Sequence, residues 1–298
     1  MGELLLEPVA DPAAHSEGLV QHLLHRRFLG EHVDADAARA AAVAMVARVI
    51  DRSELLMITH DGVDAGRAWT VVQGEDLSIL WLSLDDAGLA GVVRTPLIER
   101  ARAGGHARLT IGAAPGNPTD EAFVQGAGFD ISAVQMRLDL AHELPSEPAV
   151  ALVPMTDVDY ERWEADEIDS YAEARERSGE SRERALKISR EQHAELLPDG
   201  LATEHHHFFV GQVEGQRVGT LWLGTERPMV FVYDVLVDEQ HRRQGYGAGL
   251  MRAGALWAQG RGAPLLGLNV FGYNHGARAL YDQLGYHVVE SYLGLSLT

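Results

Sequence analysis

Hydrophobic and polar positions alternate along this chain at two periods, and the period switches often. Runs rich in β-branched and aromatic residues predict strands over 3–8, 55–59, 67–72, 77–84, 107–111 and 132–140, with a turn at Asp61-Gly62. Between them, apolar positions three and four apart predict helices over 16–27, 35–50 and 92–103, and a shorter helical stretch after the turn at 113–118. The second half repeats the theme. It has a strand over 150–154, an acidic helix over 157–176, a helix over 182–197, and a hairpin of 208–213 and 217–223 across Glu214-Gly215. A strand from 231 to 237, a helix over 250–257, a strand over 265–270, a helix over 275–284 and a terminal strand complete it. Residues 142–149 carry two prolines and no periodicity, and read as a linker between domains at 1–141 and 150–298.

The halves also match residue by residue. At an offset of 153, Gly62 falls on Gly215, Gly66 on Gly219 and Trp69 on Trp222. At 157, the run from Gly88 to Phe129 lies without a gap on Gly245 to Tyr286, pairing Gly105 with Gly262, Asn117 with Asn274 and Gly128 with Gly285. Such a period is too long for a solenoid and indicates a duplicated domain.

Composition narrows the chemistry. No cysteine is present, so disulfides, thiolate metal ligands and a covalent thiol mechanism are all excluded. A formal charge of −19 argues against nucleic acid as partner and is compatible with a cationic small molecule. No apolar run reaches membrane-spanning length. The start, Met1-Gly-Glu-Leu-Leu-Leu-Glu-Pro8, has neither a basic stretch nor a long apolar one, so no secretory signal is expected and a cytoplasmic location is.

The most informative stretch is 231–250, where an apolar strand carrying Asp234 runs into Arg242-Arg-Gln-Gly-Tyr-Gly247-Ala-Gly249 and then a helix. Glycines let backbone N–H groups close on a phosphate, and the helix N-terminus and two arginines add positive charge. A P-loop would end in Lys and Ser or Thr, and a dinucleotide fingerprint needs a third glycine where Leu250 stands. The remaining pattern, R-x-x-G-x-G after a strand, resembles the pyrophosphate loop of the GNAT-type N-acetyltransferases. A second block strengthens the resemblance: Asn274, Ala277, Leu280, Tyr281, Gly285 and Tyr286 match the family's N-x-x-A-x-x-L-Y-x-x-x-G-aromatic.

The resemblance implies an α/β (α+β) fold with two tandem domains, each a mixed, mostly antiparallel sheet flanked by helices. It implies transfer of acetyl from acetyl-CoA to a primary amine, with no metal. Leu236 and Val237 would meet pantetheine, and backbone amides from Arg243 to Gly249 would cradle the pyrophosphate, with Arg242, Arg243, Gln244, Gly245, Tyr246, Gly247, Ala248 and Gly249 as the loop. Val237 N–H would meet the oxyanion, and Tyr281 would protonate the leaving thiolate. Asn274 is either a cofactor contact or a helix cap. Asp234 is either the general base or a buried hydrogen-bonding acid. On the acidic helix, Glu167 and Tyr171 share one face and would line an acceptor site if that face is not simply solvated. His205-His-His207 could bring at most two of its rings to a metal, and more simply opens a strand. A coenzyme A sensor with the same fold is the alternative function.

The N-terminal half has the pattern without its chemistry. At the same offset Arg242 becomes Asp85, Arg243 becomes Asp86, Gly247 becomes Ala90 and Tyr281 becomes Val124, while Pro96 is expected to kink or shorten its helix. Its role is then a wall over the acceptor cleft or a homodimer surface.

Overall fold

The computed structural model describes residues 2–28, 34–141 and 149–297, with backbone alone at 27 and 28. In chain order the elements are β1 (Leu4–Pro8), α1 (Ser16–Leu23), α2 (Ala35–Val49), β2 (Ser53–His60), β3 (Val63–Gln73), β4 (Asp76–Leu84), α3 (Ala90–Ala103), β5 (Arg108–Ala113), α4 (Pro118–Val124) and β6 (Asp130–Asp139). They continue with β7 (Ala151–Pro154), α5 (Asp157–Arg177), α6 (Arg182–Leu196), β8 (His206–Val213), β9 (Gln216–Gly224), β10 (Val230–Val237), α7 (Tyr246–Gly260), β11 (Leu265–Phe271), α8 (His275–Gln283) and β12 (His287–Ser296). The expected linker lies almost wholly outside the described residues.

Two compact units form: Met1–Val134 together with Val288–Thr298, and Gln135–His287. The first holds strands in the order β1-β2-β3-β4-β5-β12, the second β6-β11-β10-β9-β8-β7. Each unit therefore takes its sixth strand from the other half of the sequence, so the units do not divide at 142–149. Periodicity predicts a strand at each end but carries no information on which sheet accepts it. Among the described pairings, neighbours run antiparallel except β4 with β5 and β10 with β11, which are parallel.

Strand alternation sends successive residues to opposite faces, which gives the first unit two cores. Leu55 packs with Leu19, Leu23, Ala38 and Trp69 beneath α1 and α2. Its neighbour Leu56 packs with Leu77, Leu97, Leu109 and Phe123 beneath α3 and α4. Pro96 does not shorten α3, which continues through it to Ala103. In the second unit, Tyr160 and Trp163 of α5 pack on Phe208, Val210 and Trp222 of β8 and β9. A capping box holds the start of α5: Thr156 and Asp159 exchange side-chain-to-backbone hydrogen bonds.

Candidate active site

The second unit opens a cleft by letting two parallel strands part. Among the described residues β10 pairs with β11 only over Val230–Val232 and Leu266–Leu268. Beyond that point β10 runs on to Val237 against β9 alone, and Leu236 is exposed. Asp238–Gln244 then lead to Gly245, which is left-handed (φ 84°) and forms the N-cap of α7 without a side-chain cap. Glycine suits that backbone because a Cβ would be strained there. The uncapped first turn of α7 leaves backbone N–H groups free to bind an anion. Arg243 is also left-handed (φ 64°), and Arg242 Nε donates to the Val237 carbonyl (3.3 Å), tying the loop to the end of β10. A Cβ on Gly247 would stand 3.3 Å from Leu280 and 3.7 Å from Val237, so the helix, α8 and strand end converge on this glycine.

Two expected loop contacts have other duties. Gly249 N–H donates to Gly245 O (3.1 Å), and a Cβ there would lie 2.5 Å from Val150. It is a packing glycine, and it leaves the phosphate set. Asn274 Oδ1 accepts from Ala277 N (3.2 Å) and caps α8. Asn117 caps α4 in the same way, accepting from Thr119 and Asp120. An asparagine shared with the half that lacks the chemistry was the signal for a structural role.

A bulge sets the floor of the cleft. The register of β10 against β9 shifts between Val232 and Asp234, so Tyr233 is the extra residue. A bulge re-aims side chains: Tyr233 stacks on Trp222 (4.6 Å between centroids), and Asp234 comes beside Trp163 of α5. Asp234 Oδ2 is sealed from solvent without a hydrogen-bond partner, although the residue retains some accessible surface. The Trp163 indole N–H lies near enough to act on the carboxyl electrostatically but outside hydrogen-bond geometry. Burial pushes Asp234 up to about 6, against the lowering effect of Trp163 and the Val235 backbone N–H. Glu167 of α5 is pushed well above the usual carboxylate range by burial and then by the charge of Asp234. Tyr281 of α8 is buried, and burial followed by the charge of Asp234 raises it to about 12. The structure thus brings Asp234, Glu167 and Tyr281 into one electrostatic neighbourhood.

The acidic helix divides by face. Glu167 turns inward, whereas Asp169 and Glu176 reach Arg182 (3.8 and 3.7 Å) and Glu173 reaches Arg177 (3.7 Å) on the exposed side. Tyr171 faces the end of β11, 6.2 Å from Phe271 between ring centroids. Phe271, the last residue of β11, and Tyr273 just beyond it belong to no motif of the sequence; two rings two residues apart at a strand end are the signal they carry. His206 opens β8 and accepts from the Trp222 indole N–H (2.9 Å). Among the described residues no group of three or more His, Cys, Asp or Glu is arranged to hold a metal.

The first unit shows the same frame with its chemistry removed. Here β4 pairs in parallel with β5 over Asp76–Ile79 and Arg108–Ile111, and its bulge falls between Ile79 and Trp81. That register puts Trp81 where Asp234 stands, and Trp81 stacks on His22 (5.3 Å). From strand end to glycine, residues 85–87 do what 238–244 do in the second unit, four residues fewer. In that short loop the Asp86 carboxylate accepts from Gly88 N–H (2.8 Å), occupying a backbone donor with an internal anion. Arg26 donates to Gly112 O (2.5 Å), just past the last β4–β5 pair, and is held by Asp120 (3.1 Å) and Glu290 (3.3 Å).

These features have counterparts in known proteins. The model of the Acetyltransferase (GNAT) family matches residues 161–286. An uncharacterized N-acetyltransferase of Bacillus subtilis (strain 168), YycN, is 31% identical over 147 residues, which span 47% of this chain and 94% of that one. The chain belongs to the GNAT acetyltransferase family. A second N-acetyltransferase of that organism, YdgE, is 27% identical over 144 residues, covering 46% of this chain and 92% of its own. Across 99% of this chain and 96% of the other, the fold is that of a GCN5-related N-acetyltransferase from Sphaerobacter thermophilus, with a TM-score of 0.54 at 15% identity. The sequence matches to the two Bacillus relatives each cover about half of this chain, and the fold likeness to the Sphaerobacter protein extends over nearly all of it. Membership makes the protein an acetyl-CoA-dependent acyltransferase, with an amine as the acceptor of the family's reaction.

Proposed function

We propose that the second unit carries out the acetylation, by direct transfer from acetyl-CoA to a primary amine of a small molecule or peptide. It is supported by a carboxyl with a sealed oxygen and a buried phenol that act on each other electrostatically near one strand splay, which also leads into an uncapped helix N-terminus. The cradle fits a pyrophosphate: Gly245 and Gly247 bring backbone close, the N–H groups of Tyr246, Gly247 and Ala248 supply donors, and Arg242, Arg243 and Gln244 form the lip. Leu236 and Val237 offer backbone along the cleft to the pantetheine arm, and Val237 N–H is the donor for charge developing on the carbonyl oxygen.

A protonated amine must lose a proton before it attacks. Asp234, raised toward neutrality by burial, is matched to accept it, and Glu167 beside it offers the nitrogen a hydrogen-bond partner. The neutral amine adds to the carbonyl, and as the adduct collapses the C–S bond breaks and the sulfur leaves as a thiolate. The second N–H proton is released to make up for the one that Tyr281 gives. Tyr281, raised to about 12, is fully protonated at neutral pH and supplies the proton. The chain has no cysteine to carry a thioester intermediate, which supports direct transfer. The test is Tyr281→Phe, which keeps the ring and deletes the donor. It should lower kcat by about 10²-fold or more while acetyl-CoA still binds. Near-normal kcat would return Tyr281 to a packing role.

A further inference from the structure

Four side chains of α5 stand about one helical turn apart on a single face: Trp163, Glu167, Tyr171 and Arg175. They grade the wall of the cleft from its floor outward. Trp163 is buried beside Asp234, Glu167 comes next, and Tyr171 follows against Phe271. Phe271 ends β11 three residues past the last β10 pair, so its backbone lies in the open part of the splay, and its ring faces Tyr171 of α5. It stacks nearly parallel on Tyr273 (5.6 Å, 16°), whose ring is 37% exposed. Tyr171, Phe271 and Tyr273 thus make one continuous aromatic surface leading outward from the acids.

Arg175 sets this surface rather than adding charge to it. Its Nε donates to Glu180 Oε2 (3.2 Å) and its Nη2 to Glu180 Oε1, so Glu180 neutralises it. Its Nη1 donates to Tyr171 Oη (3.1 Å), which fixes the phenol. Toward the outer end of α5, Asp169, Glu173 and Glu176 lie on the exposed side with arginine partners. Along this face of α5 an acceptor meets the carboxyls of Glu167 and Asp234 at the floor, and rings from there outward. A polyamine or an aminoglycoside would bring second and third ammonium groups against rings, whose faces attract a cation by only about 0.5–1 kcal/mol at an exposed site and leave its charge unpaired. A flat apolar body would cover the rings, and stacking of this kind contributes beyond the area buried.

On the N-acetyltransferase reading above, we infer that the acceptor is a monoamine carried on an aromatic or similarly flat apolar group, seated on Tyr171, Phe271 and Tyr273 with its nitrogen toward Glu167 and Asp234. Full-length protein with acetyl-CoA would be assayed for free thiol release with 2-phenylethylamine, hexylamine, spermidine and kanamycin. The expected order places 2-phenylethylamine first, with kcat/KM at least about tenfold above spermidine and kanamycin, near 1.4 kcal/mol. Phe271→Ala should raise KM for 2-phenylethylamine about tenfold while acetyl-CoA affinity is unchanged, with circular dichroism confirming the fold. Tyr273→Ala removes an exposed ring that the core does not need, and should raise KM at least about threefold. Preference for spermidine or kanamycin, or unchanged KM in a folded Tyr273→Ala and Phe271→Ala, would overturn the inference. Acetyl-CoA binding without thiol release from any of the four amines would also overturn it, leaving the cofactor site standing. Failure to bind acetyl-CoA would remove the enzymatic reading itself.

Discussion

Asp234 is held in the form that the fold disfavours. A carboxylate raised to about 6 binds its proton more tightly folded than unfolded, where an aspartate titrates near 4. The sign follows from linkage: the associated stability is fully present below about pH 4 and is lost as pH rises through about 6. Asp234→Asn removes that loss. The variant should melt several degrees higher than the parent at about pH 7.5, with the difference shrinking toward pH 4. Its catalytic cost has the opposite sign. In the parent, kcat/KM should rise with pH through an inflection near 6, set jointly with Glu167 as a coupled pair, while Asp234→Asn should lose about 10²-fold or more. A destabilised variant, or one that retains full activity, would make Asp234 a structural acid. Sequence showed the unusual acid in an apolar strand but left both roles open. What bears on the choice is the bulge at Tyr233, a register property of two strands that one strand's sequence does not express.

At the level of elements, the length of the connection after the strand separates the two halves. Residues 238–244 give the second unit room for a two-arginine lip, while 85–87 leave the first unit a tight turn closed by Asp86. The sequence comparison exposed the charge reversal directly, since Asp85 and Asp86 fall opposite arginines. The four-residue difference was legible too, as the change of offset from 153 to 157 inside that stretch; the closure of the short turn by Asp86 was not. The caps were half legible: Asn274 precedes α8 as a cap should, yet the family pattern also permitted a cofactor contact. Asn274→Ala should cost about 1 kcal/mol of stability by removing the Ala277 N–H partner. Acetyl-CoA affinity, measured by calorimetry, should stay within about twofold; a tenfold loss would restore the asparagine to the cofactor site.

For the whole molecule, each unit takes its sixth strand from the other half of the sequence. A fragment starting at residue 150 lacks β6 and carries β12 away from β5, leaving the edge of β11 unpaired. Unpaired edges recruit other chains, so size-exclusion chromatography should show this fragment aggregating or self-associating. A monodisperse monomer with parental activity would contradict the exchange. The duplication itself was legible from glycine and tryptophan spacing, whereas the exchange was not, because both candidate strands have the same alternating pattern. On the proposed function, the loop from Arg242 to Ala248 is this chain's acetyl-CoA site and the first unit has none. Calorimetric titration of the full chain and of Gly247→Val with acetyl-CoA tests it most directly. A Cβ at Gly247 meets only the flexible end of Leu280 at 3.3 Å and Val237 at 3.7 Å, so the variant should fold. The account predicts one site per chain, weakened about tenfold or more by the substitution. Two sites per chain, or one that keeps its affinity in the folded variant, would contradict it.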